Sequence, residues 1–341
     1  MSKIIQFKKL ENDFNYYVDE LTALCKDDLS LINSIILEKI NSKVSLIGEI
    51  SSYLILSGGK RLRPLLTSCC FHMCTKNKNN KNYLGLAAAV EFIHAATLLH
   101  DDVIDQSKNR RNLLTANEVW GNKTSVLVGD FLFSRAFQLM SKGGNPEILK
   151  LLSDTSVIIS EGEVLELSND KNLTINEDIY LNVIEGKTAS LFSAACQVGG
   201  MSADTSLEQI EGLKSFGLNF GISFQLIDDA IDYSSNSKTL GKNIGDDFKE
   251  GKITLPIILA YLRSNSEEKK FWKKTIQELH QDKDDFKKAY EIISKYNCIE
   301  DTINRAIHFA NIAKDSLGIF KDTKYKKVLL NLIDSSISRI S

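Results

Sequence analysis

The sequence predicts an all-α protein, and three observations carry that expectation. Apolar residues recur at helical spacing almost throughout, as in Leu21 and Leu24 and then Ile32, Ile35, Ile36, Ile40, Val44 and Ile47. No segment alternates strictly between two turn clusters, as a half-buried strand would. Helix breakers are few, with only 3 Pro in 341 residues. Length alone allows about one to three domains, but an all-helical fold accommodates the chain as one. No break is long enough to be a linker, so a single domain over residues 1–341 is expected.

The breaks that do occur separate helices. Residues 76–82 (KNKNNKN) form a polar connector. Ser141-Lys-Gly-Gly-Asn-Pro146 ends one helix and starts another, with Pro146 suited to a helix start. Residues 168–177 read as a further polar connector, and the tail after Arg263 is charged and amphipathic. Phe309, Ile312, Leu317 and Phe320 are expected to pack that tail on the body.

Composition narrows the class. The chain is 43% hydrophobic and 25% charged, so a large core is available. A formal net charge of −2 gives no general electrostatic drive towards nucleic acid. Six Cys occur without a CxxC; Cys69, Cys70 and Cys74 share one predicted helix, while Cys25, Cys196 and Cys298 are dispersed. With no His set at ligand spacing, buried thiols in a reducing compartment are expected rather than zinc or disulfides. Lys3, Lys8 and Lys9 precede no long apolar core, so no signal peptide is read. No run of membrane-spanning length is free of charge. The expectation is a soluble cytoplasmic protein.

The chemistry is organised around Glu91-Phe-Ile-His-Ala-Ala-Thr-Leu-Leu-His-Asp-Asp-Val-Ile-Asp105. This apolar helical run closes on Asp101, Asp102 and Asp105. Positions four apart share a face, ~6 Å apart along the axis, so Asp101 and Asp105 project together. Three acids at one helix end repel one another, and packing does not require them. Hard divalent cations such as Mg²⁺ suit such an oxygen cluster. Alone, a DDxxD is as well read as a solvated acidic helix end. A second copy, Asp228, Asp229 and Asp232, follows another apolar run at 221–233. Two such clusters lining one cavity suit a diphosphate, whose charge bound ions neutralise as it arrives and departs.

Basic sites accompany them. Gly58-Gly-Lys-Arg-Leu-Arg-Pro64 sets Lys60, Arg61 and Arg63 before a Pro-led helix, where backbone N–H groups and fixed cations favour an anion. By itself this is as readily a surface loop. Arg110 and Arg111 follow the first acid cluster by one to two turns, either bridging substrate phosphates or pairing with nearby carboxylates. Gly186-Lys-Thr188 places a cation and a hydroxyl at a possible helix start. Lys242 and Lys252 follow the second acid cluster, with Asp246 and Asp247 either orienting them or extending a metal shell. Together these features suggest two anionic substrates meeting around bound metal.

In this order, the motifs resemble the trans-polyprenyl diphosphate synthases. The matching segments are GGKRLRP at 58–64, HDDVID at 100–105 with RR at 110–111, and GDFLFSRAF at 129–137. GKTASLF at 186–192, FQLIDDAIDY at 224–233 and GKNIGDDFKEGKITLP at 241–256 complete the set. EFIHAATLLHDDVID looks most like the long-chain octaprenyl and decaprenyl members. Asn112 departs from the pattern, which usually has Gly after the Arg pair.

The resemblance implies an isoprenoid-synthase fold, helices around a deep central cavity, usually as a homodimer. It implies repeated condensation of isopentenyl diphosphate onto an allylic diphosphate such as farnesyl diphosphate, for a quinone side chain delivered to a membrane. In that scheme the six aspartates hold Mg²⁺ ions on the allylic diphosphate. Lys60, Arg63, His94 and Arg111 bind isopentenyl diphosphate; Arg110, Lys187, Thr188, Gln225, Lys242 and Lys252 contact the allylic partner. Lys187 stands with the aspartates as catalytic. Without the resemblance, His94 reads as a satisfied core histidine, and His100 keeps that reading. Phe224 is either a π face for the allylic cation or core.

Walking back from Asp101, Thr97, Ala96, Ile93 and Ala89 share a flank along which a growing tail passes, one isoprene unit for about one turn of ~5 Å. Small residues there equally serve close helix packing. Met140 or Leu152 on a neighbouring helix form the deeper floor. The alternatives are a shorter-chain synthase, a terpene cyclase, a non-catalytic subunit of a heteromeric synthase, and a generic cation-binding protein. The last leaves Lys60, Arg63, Lys187 and Lys242 unexplained.

Overall fold

A computed structural model describes residues 14–77, 79–143, 145–234 and 245–339. Helix α1 covers residues 14–24, followed by α2 (Lys26–Lys39), α3 (Ser45–Leu56), α4 (Leu62–Cys74) and α5 (Asn82–Ile104). A short hairpin, β1 (Asn109–Arg110) and β2 (Leu113–Leu114), leads into α6 (Ala116–Trp120), α7 (Asn122–Lys142), α8 (Pro146–Ser168) and α9 (Glu177–Ile184). A π-helical turn at Glu185–Ala189 runs directly into α10 (Ser190–Ser202), and α11 (Leu207–Asp232) follows. Then come α12 (Asp246–Glu250), α13 (Leu255–Arg263), α14 (Ser266–Trp272), a second π-helical turn at Lys273–Gln277, α15 (Asp285–Lys295), α16 (Cys298–Ser316) and α17 (Lys324–Ile337).

The polar connectors fall where composition places them. Asn145 caps α8 by accepting from the N–H groups of Glu147 and Ile148, with Pro146 in the first turn. Asn176 caps α9 through Ile179 N at 2.9 Å. The hairpin was not expected: two-residue strands carry no alternation to read. Its two turn residues, Arg111 and Asn112, both have positive φ, 54° and 64°. Such two-residue hairpin turns favour Asn where Gly would also serve, because Asn tolerates the left-handed region. Asn112 therefore fits the turn.

Packing explains why α5 can be so apolar. It lies along α7 and is flanked by α2, α4 and α10, so Phe92, Ile93 and Leu99 are fully buried. Each such side chain contributes roughly 1.5–3 kcal/mol relative to exposure. Among the described residues α5 is the one helix long and apolar enough to cross a membrane, and most of it is buried in the bundle. Helix α10 packs between α4 and α11, and α11 lies along α16. Leu317 and Phe320 are buried in the cluster that joins α1, α4, α11 and α17, as expected of the tail.

The cysteines are all free, but they are less dispersed than their numbering suggests. Cys69 lies beside Cys25 and Cys70 beside Cys196, because α4 packs on both partners' elements, and Cys69 Sγ donates to Tyr325 O at 3.6 Å. Burial pushes both α4 thiols well up, which leaves them protonated and unreactive.

Candidate active site

The two acid clusters occupy the C-terminal ends of α5 and α11, and several contacts bring these ends together. Lys252, which follows α12, lies 3.6 Å from Asp105 of the first cluster and 2.8 Å from Glu250. Lys187, on the first π turn, bonds Glu163 at 2.9 Å and Glu166 at 2.6 Å, both on α8. Asp101 and Glu163 feel the same Lys187, and Asp229 feels Glu166. One electrostatic system thus spans α5, α8, the π turn and α11.

Within the first cluster the three aspartates differ. Asp102, 1% exposed, is gripped by Arg110 of the hairpin: Nε lies 2.9 and 3.0 Å from its two oxygens and an Nη 2.7 Å from Oδ1. Of the two readings of Arg110, pairing with a nearby carboxylate is the contact observed. Asp101 is pushed up to about 7 by burial, with Glu163 and Asp105 adding repulsion against the pull of Lys187.

The second cluster is wired differently. Asp228 pairs with Arg339 at 2.8 Å, and that guanidinium lies over the rings of Phe14 and Phe224. Phe224 therefore presents a face to a protein cation. Asp229 accepts from Tyr180 Oη at 2.6 Å and from Gln225 Nε2 at 2.8 Å, and Thr188 Oγ1 donates to Gln225 Oε1 at 3.1 Å. Burial pushes Asp229 up to about 7, with Asp228 and Glu166 adding to the rise and the two donors opposing it. Asp232 accepts from Asp247 N at 3.0 Å and so ties α11 to α12. The Asp247 carboxyl is raised well above its usual range by burial and by Asp229 and Asp232. Lys242 lies outside the described residues.

A third group of side chains is cationic. Arg61 starts α4 in the left-handed conformation and pairs with Glu91 of α5. Arg111 donates to Gly58 O and lies against Gly59, where a Cβ would come within 2.9 Å of its guanidinium. Both glycines have positive φ, 103° and 129°, so the turn needs them. Arg63 lies over Phe192 with its carbon centre 4.2 Å from the ring centroid, and Lys60 over Phe14 at 4.3 Å. Burial lowers Arg63 to about 10. His94 faces this group: burial and then Arg63, Arg111, Arg110 and Arg61 hold it well below its ordinary value, hence neutral. His100 turns to α7 instead, with Nε2 3.1 Å from Val126 O and its ring stacked on Phe133.

Ala89, Ile93, Ala96 and Met140 belong to one buried apolar cluster with Leu152, and Thr97 at its edge donates to His94 O at 2.9 Å. One local expectation is corrected: Lys187 and Thr188 do not start a helix. They ride a π turn between continuous helices, a distortion common at functional sites, and it swings both towards α8 and α11. Sequence reasoning missed Glu163, Glu166, Tyr180, Glu91 and Arg339.

Among the described residues no three acidic, histidine or cysteine side chains already form a metal cage. The donor set nevertheless fits hard divalent cations. It is all oxygen, it comes from two helix ends that the lysines bring together, and its carboxyls at half-buried Asp101 and buried Asp229 are crowded by like charge that such a cation relieves.

Comparison with known proteins shows the family. Residues 44–293 match the polyprenyl synthetase family. Octaprenyl diphosphate synthase of Escherichia coli (strain K12) is 39% identical over 322 residues, 94% of this chain and 98% of that protein. A decaprenyl diphosphate synthase structure from Rhodobacter capsulatus superposes with a TM-score of 0.91 at 42% identity, covering 95% of this chain and 99% of that one. A polyprenyl synthase from Caulobacter crescentus CB15, complexed with calcium and isoprenyl diphosphate, gives 0.90 at 43%, covering 95% and 98%. The chain belongs to the polyprenyl synthetase family, as an all-helical prenyltransferase of the isoprenoid-synthase fold.

Proposed function

We propose that this chain is a long-chain all-trans-polyprenyl diphosphate synthase that condenses isopentenyl diphosphate repeatedly onto an allylic diphosphate, with farnesyl diphosphate as primer. The observation that carries the reading is the convergence of both aspartate clusters with Lys187 and Lys252, beside a separate group of arginines around His94. Two anion sites of different composition suit two diphosphates with different fates: one departs, the other stays.

In this reading Asp101, Asp102, Asp105, Asp228, Asp229 and Asp232 would hold divalent cations, Mg²⁺ in the cell. When bound, these ions neutralise the allylic diphosphate and ease its departure. Lys187, Thr188, Gln225, Lys242, Lys252 and Arg110 orient that diphosphate. Lys60, Arg63, Arg111 and neutral His94 hold isopentenyl diphosphate so that its alkene lies beside the reacting carbon, where proximity compensates for weak nucleophilicity. The released diphosphate takes the proton, so no dedicated base is required.

A growing tail then runs along Thr97, Ala96, Ile93 and Ala89 towards Met140. Ala96→Phe is expected to cut the product to about C15–C20, since one isoprene unit spans about one turn. An active Ala96→Phe enzyme making the wild-type length would overturn this path.

A second copy of the chain covers the outer face of α7 and α8. Phe137, Val157 and Val164 are exposed there around a cavity of about 730 Å³, an apolar surface that supports a homodimer. Free thiols suit a reducing cytoplasm. The apolar product passes to a membrane for a quinone side chain.

The test is mass spectrometry of products from the purified chain given farnesyl and isopentenyl diphosphates, with light scattering on the same sample. Long-chain product that is lost in EDTA and restored by Mg²⁺ is expected. Product formed without isopentenyl diphosphate would point to a cyclase, and no product to a non-catalytic subunit.

A further inference from the structure

Tyr180 stands outside every motif that drew attention in the sequence, yet it touches the second acid cluster directly. It lies on α9, whose outer end is tied to α16 by Arg305, with Nη2 2.8 Å from Glu177 Oε2. Its ring is buried in the cluster that contains Ile184, Ile222 and Leu226. Its hydroxyl donates to Asp229 Oδ2 at 2.6 Å. The other oxygen of Asp229 accepts from Gln225 Nε2 at 2.8 Å, and Gln225 Oε1 accepts from Thr188 Oγ1 at 3.1 Å.

The order of donors matters. A carboxylate only accepts, so Asp229 fixes which end of the Gln225 amide faces it, and the opposite end is thereby committed to Thr188. An amide has two orientations of nearly equal shape, and here the accepting oxygen of Asp229 selects one. The Asp229 carboxyl is held at both oxygens, and the short bond from Tyr180 is the one that comes from outside α11. Asp102 in the first cluster is fixed by an arginine. Asp229 takes neutral donors, which orient its carboxyl without supplying a counter-charge.

We infer that Tyr180 is a positioning residue for the allylic diphosphate, acting through Asp229 on Gln225 and Thr188. The inference rests on the assignment of Gln225 and Thr188 to the allylic partner made above. A tyrosine that merely satisfies itself in the core would affect stability alone.

Tyr180→Phe keeps the buried ring and removes the donor. A hydrogen bond to a charged group has an effect of about tenfold or more on an equilibrium. Tyr180→Phe is therefore expected to raise the KM for the allylic diphosphate at least about tenfold while the KM for isopentenyl diphosphate stays within about twofold. Calorimetric binding of inorganic pyrophosphate with Mg²⁺ should weaken in parallel. In an Asp229→Asn background the same substitution should add nothing. That pair of variants carries no buried unpaired charge, so it remains the decisive comparison if Tyr180→Phe alone does not fold.

Equal shifts in both KM values, a fall in Tm with neither KM changed, or an undiminished effect in the Asp229→Asn background would each overturn the inference. A wild-type chain without prenyl transfer would instead remove the assignment above. The pyrophosphate titrations of wild type, Tyr180→Phe and the Asp229→Asn pair would still decide the role of Tyr180.

Discussion

The two acid clusters have the same spacing at the ends of two apolar helices, and yet they are stabilised in different ways. At the end of α5 the buried Asp102 is matched by a guanidinium, and Asp105 by a lysine. At the end of α11 the buried Asp229 receives a phenol and an amide, and Asp232 a backbone N–H. The most buried carboxylate is charge-paired at the first and held by neutral donors at the second, where Asp228 has an arginine of its own, Arg339. The lesson is that a repeated motif specifies where carboxylates stand, while the elements packed around it decide how much of their charge remains available.

The comparison is broken most severely at the aspartates. If both clusters serve one leaving group, Asp101→Ala and Asp228→Ala should each lower kcat by about 10²–10³-fold or more, as loss of preorganised charge stabilisation does. Steady-state assays at saturating substrates read this. Turnover within about threefold of wild type in either variant would mean that the two clusters do not share a site.

A smaller effect separates the aspartates from the cationic group. Lys60→Ala or Arg63→Ala should raise the KM for isopentenyl diphosphate about tenfold, the scale of one charge-assisted hydrogen bond, with the allylic KM little changed. Initial rates with each substrate varied in turn distinguish the two. Equal changes in both would show that the GGKRLRP turn has been given to the wrong partner.

The smallest effect concerns the hairpin that only the first cluster possesses. Asn112→Gly should leave stability within ~0.5 kcal/mol, because both residues accept positive φ. Asn112→Val should cost ~1–2 kcal/mol, because a β-branched residue does not accept it. Thermal melts of the two variants check this, and a melt for Asn112→Val equal to wild type would show that the turn relaxes freely.

Much of this site was legible because its parts are local. An apolar helical run ending in DDxxD places its carboxylates by helix geometry alone, and GGKRLRP announces a turn that only Gly accepts. Glu163 and Glu166 were not legible: acids on an amphipathic helix read as a solvated face, and their partner Lys187 lies more than twenty residues further on. Tyr180 escaped for the same reason. The π turn leaves no compositional trace, so Lys187 and Thr188 were given a helix start. Arg110 offered two readings, and its grip on Asp102 crosses from the hairpin to α5, a contact that spacing along the chain does not reveal.

The meeting of Gly162 and Gly186 has a consequence of its own. A Cβ on Gly162 would come within 2.8 Å of Lys187 N, and one on Gly186 within 3.0 Å of Gly162 Cα. Helix α8 and the π turn thus touch main chain to main chain, with no side chain acting as a spacer. That clearance behaves as a mechanical tolerance. A single added methyl would act as a shim, lifting the ammonium of Lys187 off both glutamates, and Coulomb attraction falls with every added fraction of an ångström. The reach of Lys187 to its two glutamates thus depends on two residues that carry no charge at all.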